Sequence, residues 1–356
     1  MKVKKKCRFK TLKITAFVLA GLIIGTLIVN QITVRPFMFV LNSLMNLTDE
    51  QGNIGPYAEQ IETVREVGSF EIPVSGYPNA GITLYEPTGR SEDLPLIVYI
   101  HGGGWCTGRA SAVRSFAKLL ASNGYIVANL DYSLAPDYPY PASTIQIAEA
   151  INYLYEHADD YGIDDKNIFI GGNSAGAHLS SQMGGLFTNA DYAKQVDVET
   201  RVPAENIKGL LLFNGVYNFD TAGDCNFPFY KKLAWAYTGM KDYTQYERID
   251  ELSTVKHITE EYPPTYITVG DIDPLEPQTL EFIKILEKNN VDYASLLWTG
   301  QNTELYHDYI YELDTKEAVA AYEAAVRFMM EHTNSLSVFA RQLLKAPDMR
   351  TVCPVL

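Results

Sequence analysis

Between residues 69 and 332, short apolar runs alternate with segments whose apolar positions recur at helical spacing. SFEIPV (69–74) and ITLYEP (82–87) read as an opening antiparallel pair of strands. LPLIVYIHGGGW (94–105), YIVANLDY (125–132), NIFIGG (167–172), IKGLLLFNGV (207–216), TYITVG (265–270) and DYASLLW (292–298) read as six more. Helical spacing predicts helices over 112–121, 142–157, 174–186, 280–289 and 316–332, with Pro141 well placed at a helix start. Continuously apolar strands are buried on both faces, so the pattern predicts an α/β domain with a mostly parallel sheet flanked by helices. No internal repeat or low-complexity linker divides it. Residues 36–356 are therefore expected to form one domain.

Two segments break the alternation. Residues 14–34, ITAFVLAGLIIGTLIVNQITV, hold no charged side chain, and as a helix they would span about 31 Å, close to the roughly 30 Å of a bilayer core. The segment before them, MKVKKKCRFKTLK, carries seven basic residues and no acid. Residues 1–35 are thus expected to be a basic cytoplasmic head and a membrane anchor, with a cleaved signal peptide as the rival reading. Either way, the positive-inside rule sends the body of the chain across the membrane. The second break is Phe219–Tyr246, with eight aromatic residues (Phe219, Phe227, Phe229, Tyr230, Trp235, Tyr237, Tyr243 and Tyr246). It is expected to be a small helical insertion, about 217–260, that packs its own aromatics and can also line a substrate pocket as a lid.

Charge sharpens this picture. The chain has a net charge of −14, but beyond residue 13 it holds 22 basic against 43 acidic residues. So acidic a body argues against nucleic acid or anionic lipid as its partner. Of four cysteines, Cys7 precedes the apolar run, and Cys106, Cys225 and Cys353 allow at most one bridge among themselves. No spacing resembles a metal site, and no cofactor is expected.

In a parallel sheet, ligands bind beyond the carboxyl ends of the strands. Four such ends carry candidate chemistry: His101-Gly102-Gly103-Gly104-Trp105, the G-x-S-x-G around Ser174, Gly270-Asp271-Ile272-Asp273-Pro274, and His307. A serine hydroxyl needs a base at neutral pH. His157 and His332 end predicted helices, His178 shares the predicted helix that follows Ser174, and His257 lies away from any strand end. His101 opens the glycine loop. His307, in the loop after the last strand, is the candidate base. A carboxylate must then orient the imidazole; Asp273, stiffened by Pro274, is favoured, with Asp271 as the fallback. Asp308 is expected at the surface. Consecutive glycines let backbone N–H groups approach an oxyanion closely, so Gly103 and Gly104, with the amide of Ala175, are the candidate oxyanion hole. A phosphate loop would want a Lys-Ser/Thr after the glycines, and GGGWCTG has none.

HGGGW (101–105), DYSLAPDYPYPA (131–142), GNSAG (172–176), GDIDPL (270–275) and a late histidine together resemble the α/β-hydrolase fold. The resemblance is greatest to its hormone-sensitive-lipase-like carboxylesterase branch and covers roughly residues 70–332. It implies a cofactor-free serine carboxylic ester hydrolase in chain order Ser174, Asp273, His307, with His101 structural. Two motifs depart from the branch: its GDSAGG is GNSAGA here, with Asn173 and Ala177, and its HGF is His307-Asp308-Tyr309. GNSAGAHL also resembles aryl-ester and formamide hydrolases of the same fold. The expected substrates are short-chain or aryl esters outside the cytoplasm, including esters on polysaccharide. An aryl formamide or amide hydrolase with the same triad is the alternative, and an inactive surface-binding homologue a more distant one.

Overall fold

The structure is a computed structural model and describes residue 29, residues 31–45 and residues 52–333. Most of the 14–34 run, Cys7, Cys353 and the C-terminal tail therefore lie outside the described residues. Among the described residues, no helix is long and apolar enough to cross a membrane. Cys106 and Cys225 are free thiols.

Eight strands form one sheet: β1 (Val64–Ile72), β2 (Ala80–Pro87), β3 (Leu94–Ile100), β4 (Ile126–Asp131), β5 (Ile163–Asn173), β6 (Ile207–Phe213), β7 (Thr265–Val269) and β8 (Tyr293–Leu297). Their order is β1-β2-β4-β3-β5-β6-β7-β8. β2 pairs antiparallel with β1 and β4, and every other pairing is parallel. Each apolar run forms its strand, although β1 starts earlier than SFEIPV suggests because Val64 to Gly68 already pair with Pro87 to Leu84.

Among the described residues, the helices of eight residues or more are α1 (Arg35–Met45), α2 (Arg114–Ala121), α3 (Ala142–Glu156), α4 (Ala175–Thr188), α5 (Tyr230–Thr238), α6 (Glu276–Lys288) and α7 (Lys316–His332). The pleat sends alternate residues to opposite faces. In β3 every residue is buried: Leu96, Val98 and Ile100 join the core shared with α3, α4 and α6, while Ile97 and Tyr99 join the core under α2 and α7. Helices on both faces explain why these strands are apolar without alternation.

The 214–264 segment between β6 and β7 contains the aromatic insertion and α5. Phe219, Tyr230, Trp235, Tyr237 and Tyr243 are buried, so most of its rings serve packing. Their centre is Trp105 from the glycine loop, stacked on Tyr237 at 4.8 Å between ring centroids and 5.3 Å from Phe219. The Trp105 indole N–H donates to His178 Nδ1 at 3.1 Å, and His178 Nε2 lies 2.9 Å from the Leu252 carbonyl. His178 is thus a buried brace; burial lowers its pKa to about 4 despite that carbonyl.

At the end of β5 the chain turns through Ser174 (φ 53°, ψ −119°) directly into α4. A side chain held at such angles costs about 1–3 kcal/mol, supplied by the packing on either side. Gly172 and Gly176 make the turn sterically possible. A Cβ on Gly172 would lie 2.2 Å from the Ile100 carbonyl oxygen, and one on Gly176 would lie 2.0 Å from it.

Candidate active site

Three loops at the carboxyl ends of the parallel strands meet over this turn. Ser174 Oγ lies 2.9 Å from His307 Nε2, in position to donate its proton there. On the far side of the imidazole, His307 Nδ1 lies 2.8 Å from Asp273 Oδ2. The same Asp273 oxygen accepts a hydrogen bond from Asn214 Nδ2 at 2.7 Å, and its other oxygen accepts the Leu275 N–H at 2.9 Å. Asp273 is buried (3% exposed), and these donors satisfy its carboxylate oxygens there. With Nδ1–H committed to Asp273, the lone pair of Nε2 faces the serine.

The fallback acid is placed elsewhere. Asp271 accepts the Thr303 and Leu305 N–H groups at 2.8 Å each, which pins the loop leading to His307. His101 is buried, with Nδ1 2.6 Å from the Gly102 carbonyl and its ring stacked on Tyr132 at 4.4 Å. It is far more a wall of the glycine loop than a base.

Gly103 (φ 115°) and Gly104 (φ 57°) lie in the positive-φ region, which glycine adopts without strain, and Trp105 follows at φ 62°. Among the described residues, the N–H groups of Gly103, Gly104 and Ala175 have no protein acceptor. The loop is held from outside instead. The Gly102 N–H donates to Asn173 Oδ1 at 2.9 Å, and the Thr107 hydroxyl donates to the Gly103 carbonyl at 3.0 Å.

Four contributors have no motif of their own in the sequence: Asn214, Leu233, Phe227 and Asp308. Phe227 is the one insertion ring against the imidazole, 4.8 Å from it between centroids. Leu233 of α5 packs over Gly104, where a Cβ would meet Leu233 Cδ1 at 2.8 Å. Asp308 corrects the expectation of a surface residue. Its left-handed backbone (φ 61°, ψ 26°) swings the carboxylate inward, where Oδ2 accepts from Asn173 Nδ2 at 2.9 Å and lies 3.7 Å from His307 Nε2. Burial pushes the His307 imidazole down, but the charge of Asp308 and the hydrogen bond and charge of Asp273 outweigh it and carry it up to about 9. Among the described residues, no group of three or more His, Cys, Asp or Glu side chains could hold a metal ion.

Comparison with known proteins agrees with this architecture. The BD-FAE family model matches residues 82–281, a stretch that runs from β2 into α6. An esterase of Gibberella moniliformis is 26% identical over 254 residues, covering 67% of this chain and 76% of that protein. An AB hydrolase superfamily protein of Schizosaccharomyces pombe is 33% identical over 139 residues, covering 36% of this chain and 40% of its own. Among solved structures, esterase B from Lactobacillus rhamnosis superposes with a TM-score of 0.68 at 21% identity, over 83% of this chain and 89% of that one. The chain belongs to the BD-FAE family and is a carboxylesterase-type hydrolase with the α/β-hydrolase fold.

Proposed function

We propose that the protein is a serine esterase that works through an acyl-enzyme on short-chain or aryl esters outside the cytoplasm. The observation that carries the chemistry is the unbroken hydrogen-bonded line Ser174–His307–Asp273. Ser174 Oγ attacks the ester carbonyl carbon as its proton passes to His307 Nε2. The carbonyl π electrons move onto oxygen, and the N–H groups of Gly103, Gly104 and Ala175 receive the oxyanion. Collapse of the tetrahedral intermediate breaks the bond to the alcohol oxygen, which leaves with the proton held by His307. Water, deprotonated by His307, repeats the sequence on the acyl-enzyme and releases the acid. Asp273 stabilises the imidazolium in both halves.

Leu233 packs against Gly104, and we run the acyl chain past that glycine, so that Leu233 limits its length. Leu233→Ala is expected to raise the ratio of kcat/KM for p-nitrophenyl hexanoate over acetate about tenfold, the scale of one or two methylenes in an apolar pocket. An unchanged ratio places the acyl chain elsewhere. Support for the location comes from the sequence, namely the basic head followed by the uncharged 14–34 run. Protease added to intact cells is expected to cut the body of the chain and spare residues 1–13. N-terminal sequencing of the mature protein separates an anchor (start at residue 1) from a signal peptide (start beyond Val29).

The test of the reaction is a panel of p-nitrophenyl esters beside an aryl formamide, run on the full chain and on Ser174→Ala. Serine-dependent ester turnover supports the proposal. Preference for the formamide moves the substrate class, and equal slow turnover by both proteins removes the serine mechanism.

A further inference from the structure

Two of the four positions at which this chain departs from the pattern it resembles, Asn173 and Asp308, touch each other. They are 135 residues apart in sequence, and the Asn173 amide donates to Asp308 Oδ2 at 2.9 Å. Asn173 also reaches the other way, with its Oδ1 accepting the Gly102 N–H at 2.9 Å. One side chain therefore ties the glycine loop to the turn that carries the base. Asp308 Oδ2 is 3.7 Å from His307 Nε2, too long for a hydrogen bond but well within the range where a charge alters its neighbour. Its second oxygen, Oδ1, is buried and has no hydrogen-bond partner among the described residues. A buried carboxylate oxygen left without a donor is costly, and structural turns do not need one.

We propose that Asp308, aimed by Asn173, is a positioning residue that acts through His307 as a second carboxylate, favouring the imidazolium from its Nε2 edge while Asp273 holds Nδ1. The proposal rests on the serine-esterase reading above and deepens it. Its consequence is a base that is protonated over much of the neutral range. Turnover then sets in at a more alkaline pH than Asp273 alone would require. In exchange, the imidazolium formed during attack has a negative charge beside the edge that carries the new proton.

The groups around the pair leave few other sources for such an effect. Asp273 faces His307 from the loop after β7, and Ser174 faces it from the turn after β5. Phe227 covers a ring face without charge. The Tyr99 hydroxyl of β3 and the Tyr311 hydroxyl, paired at 2.8 Å, lie on the Asp308 side. Burial pushes both phenols up, so they stay neutral where the histidine titrates. Asp308 itself is raised by burial and opposed first by the charge of His307.

The test is the pH dependence of kcat/KM for p-nitrophenyl acetate, and of Ser174 phosphonylation by a p-nitrophenyl phosphonate, on the full chain. Wild type is compared with Asp308→Asn and with Asp308→Gly, both of which suit the left-handed backbone. Both variants are expected to move the acid midpoint down by about one pH unit or more, the effect of removing an opposite charge at this range. A loosened loop would lower the rate at every pH and leave the midpoint in place. An unmoved midpoint in either folded variant overturns the proposal. So does a wild-type midpoint at or below the ordinary histidine value of 6.5, whether or not the variants fold. If the phosphonate fails to label Ser174 in wild type, the serine-esterase reading itself falls. Labelling with an unmoved midpoint removes Asp308 alone.

Discussion

Ser174→Ala is expected to lower kcat for p-nitrophenyl acetate about a million-fold, while leaving the midpoint of thermal unfolding nearly unchanged. The size follows from what remains. The N–H groups of Gly103, Gly104 and Ala175 and the substrate contacts survive, and such a remnant still exceeds water by about 1,000- to 10,000-fold. The covalent route is lost entirely. The fold tolerates the change because Ser174 is held by its backbone: its N–H donates to the Phe213 carbonyl at 2.8 Å, and its carbonyl accepts the His178 N–H at 3.1 Å. Alanine keeps both bonds. A variant that retains more than about one-hundredth of wild-type kcat, with contamination excluded, would remove Ser174 from the mechanism.

Asp273→Asn is expected to lower kcat by about 10,000-fold, with a far smaller change in KM. The reason is the tautomer. An asparagine amide facing His307 Nδ1 offers a donor where the carboxylate accepts, which drives the ring proton to Nε2 and points it at the serine. Asn214 adds to the loss, because its Nδ2 already donates to the oxygen that the amide would replace. Asp271→Asn is the control. That side chain holds Thr303 and Leu305, so its loss reads as lower thermal stability and a modest fall in rate. Comparable losses of kcat in the two variants would remove Asp273 from its orienting role.

The sheet was legible in the sequence for a simple reason. Strands such as LPLIVYI and IKGLLLF are apolar on both faces because helices cover both, and few other structures need that pattern. Ser174 was legible because its strained turn allows only glycine at 172 and 176, which leaves a readable spacing. What stayed hidden depended on tertiary direction. Nothing in His307-Asp308-Tyr309 announces that residue 308 adopts a left-handed conformation and so turns its carboxylate inward. Sequence neighbours on ordinary backbone point apart, and that rule misplaced it. The aromatic insertion was ambiguous for a related reason: composition records eight rings but not which way they face. Trp105 gathers several of them into a core, which leaves Phe227 to meet the imidazole.

That gathering limits how new specificities can arise by recombination. The insertion between β6 and β7 looks transferable, since it is bounded by two strands and brings Phe227 and Leu233 to the site. Yet its rings close around a tryptophan that belongs to the glycine loop, and that tryptophan is fixed by a histidine on the helix that follows Ser174. A graft that swaps the insertion alone would leave Trp105 without its socket and His178 without the Leu252 carbonyl that fixes its far edge. The inheritable unit is discontinuous: residues 101–107, His178 and the insertion travel together or the exchange disables the chemistry it was meant to redirect.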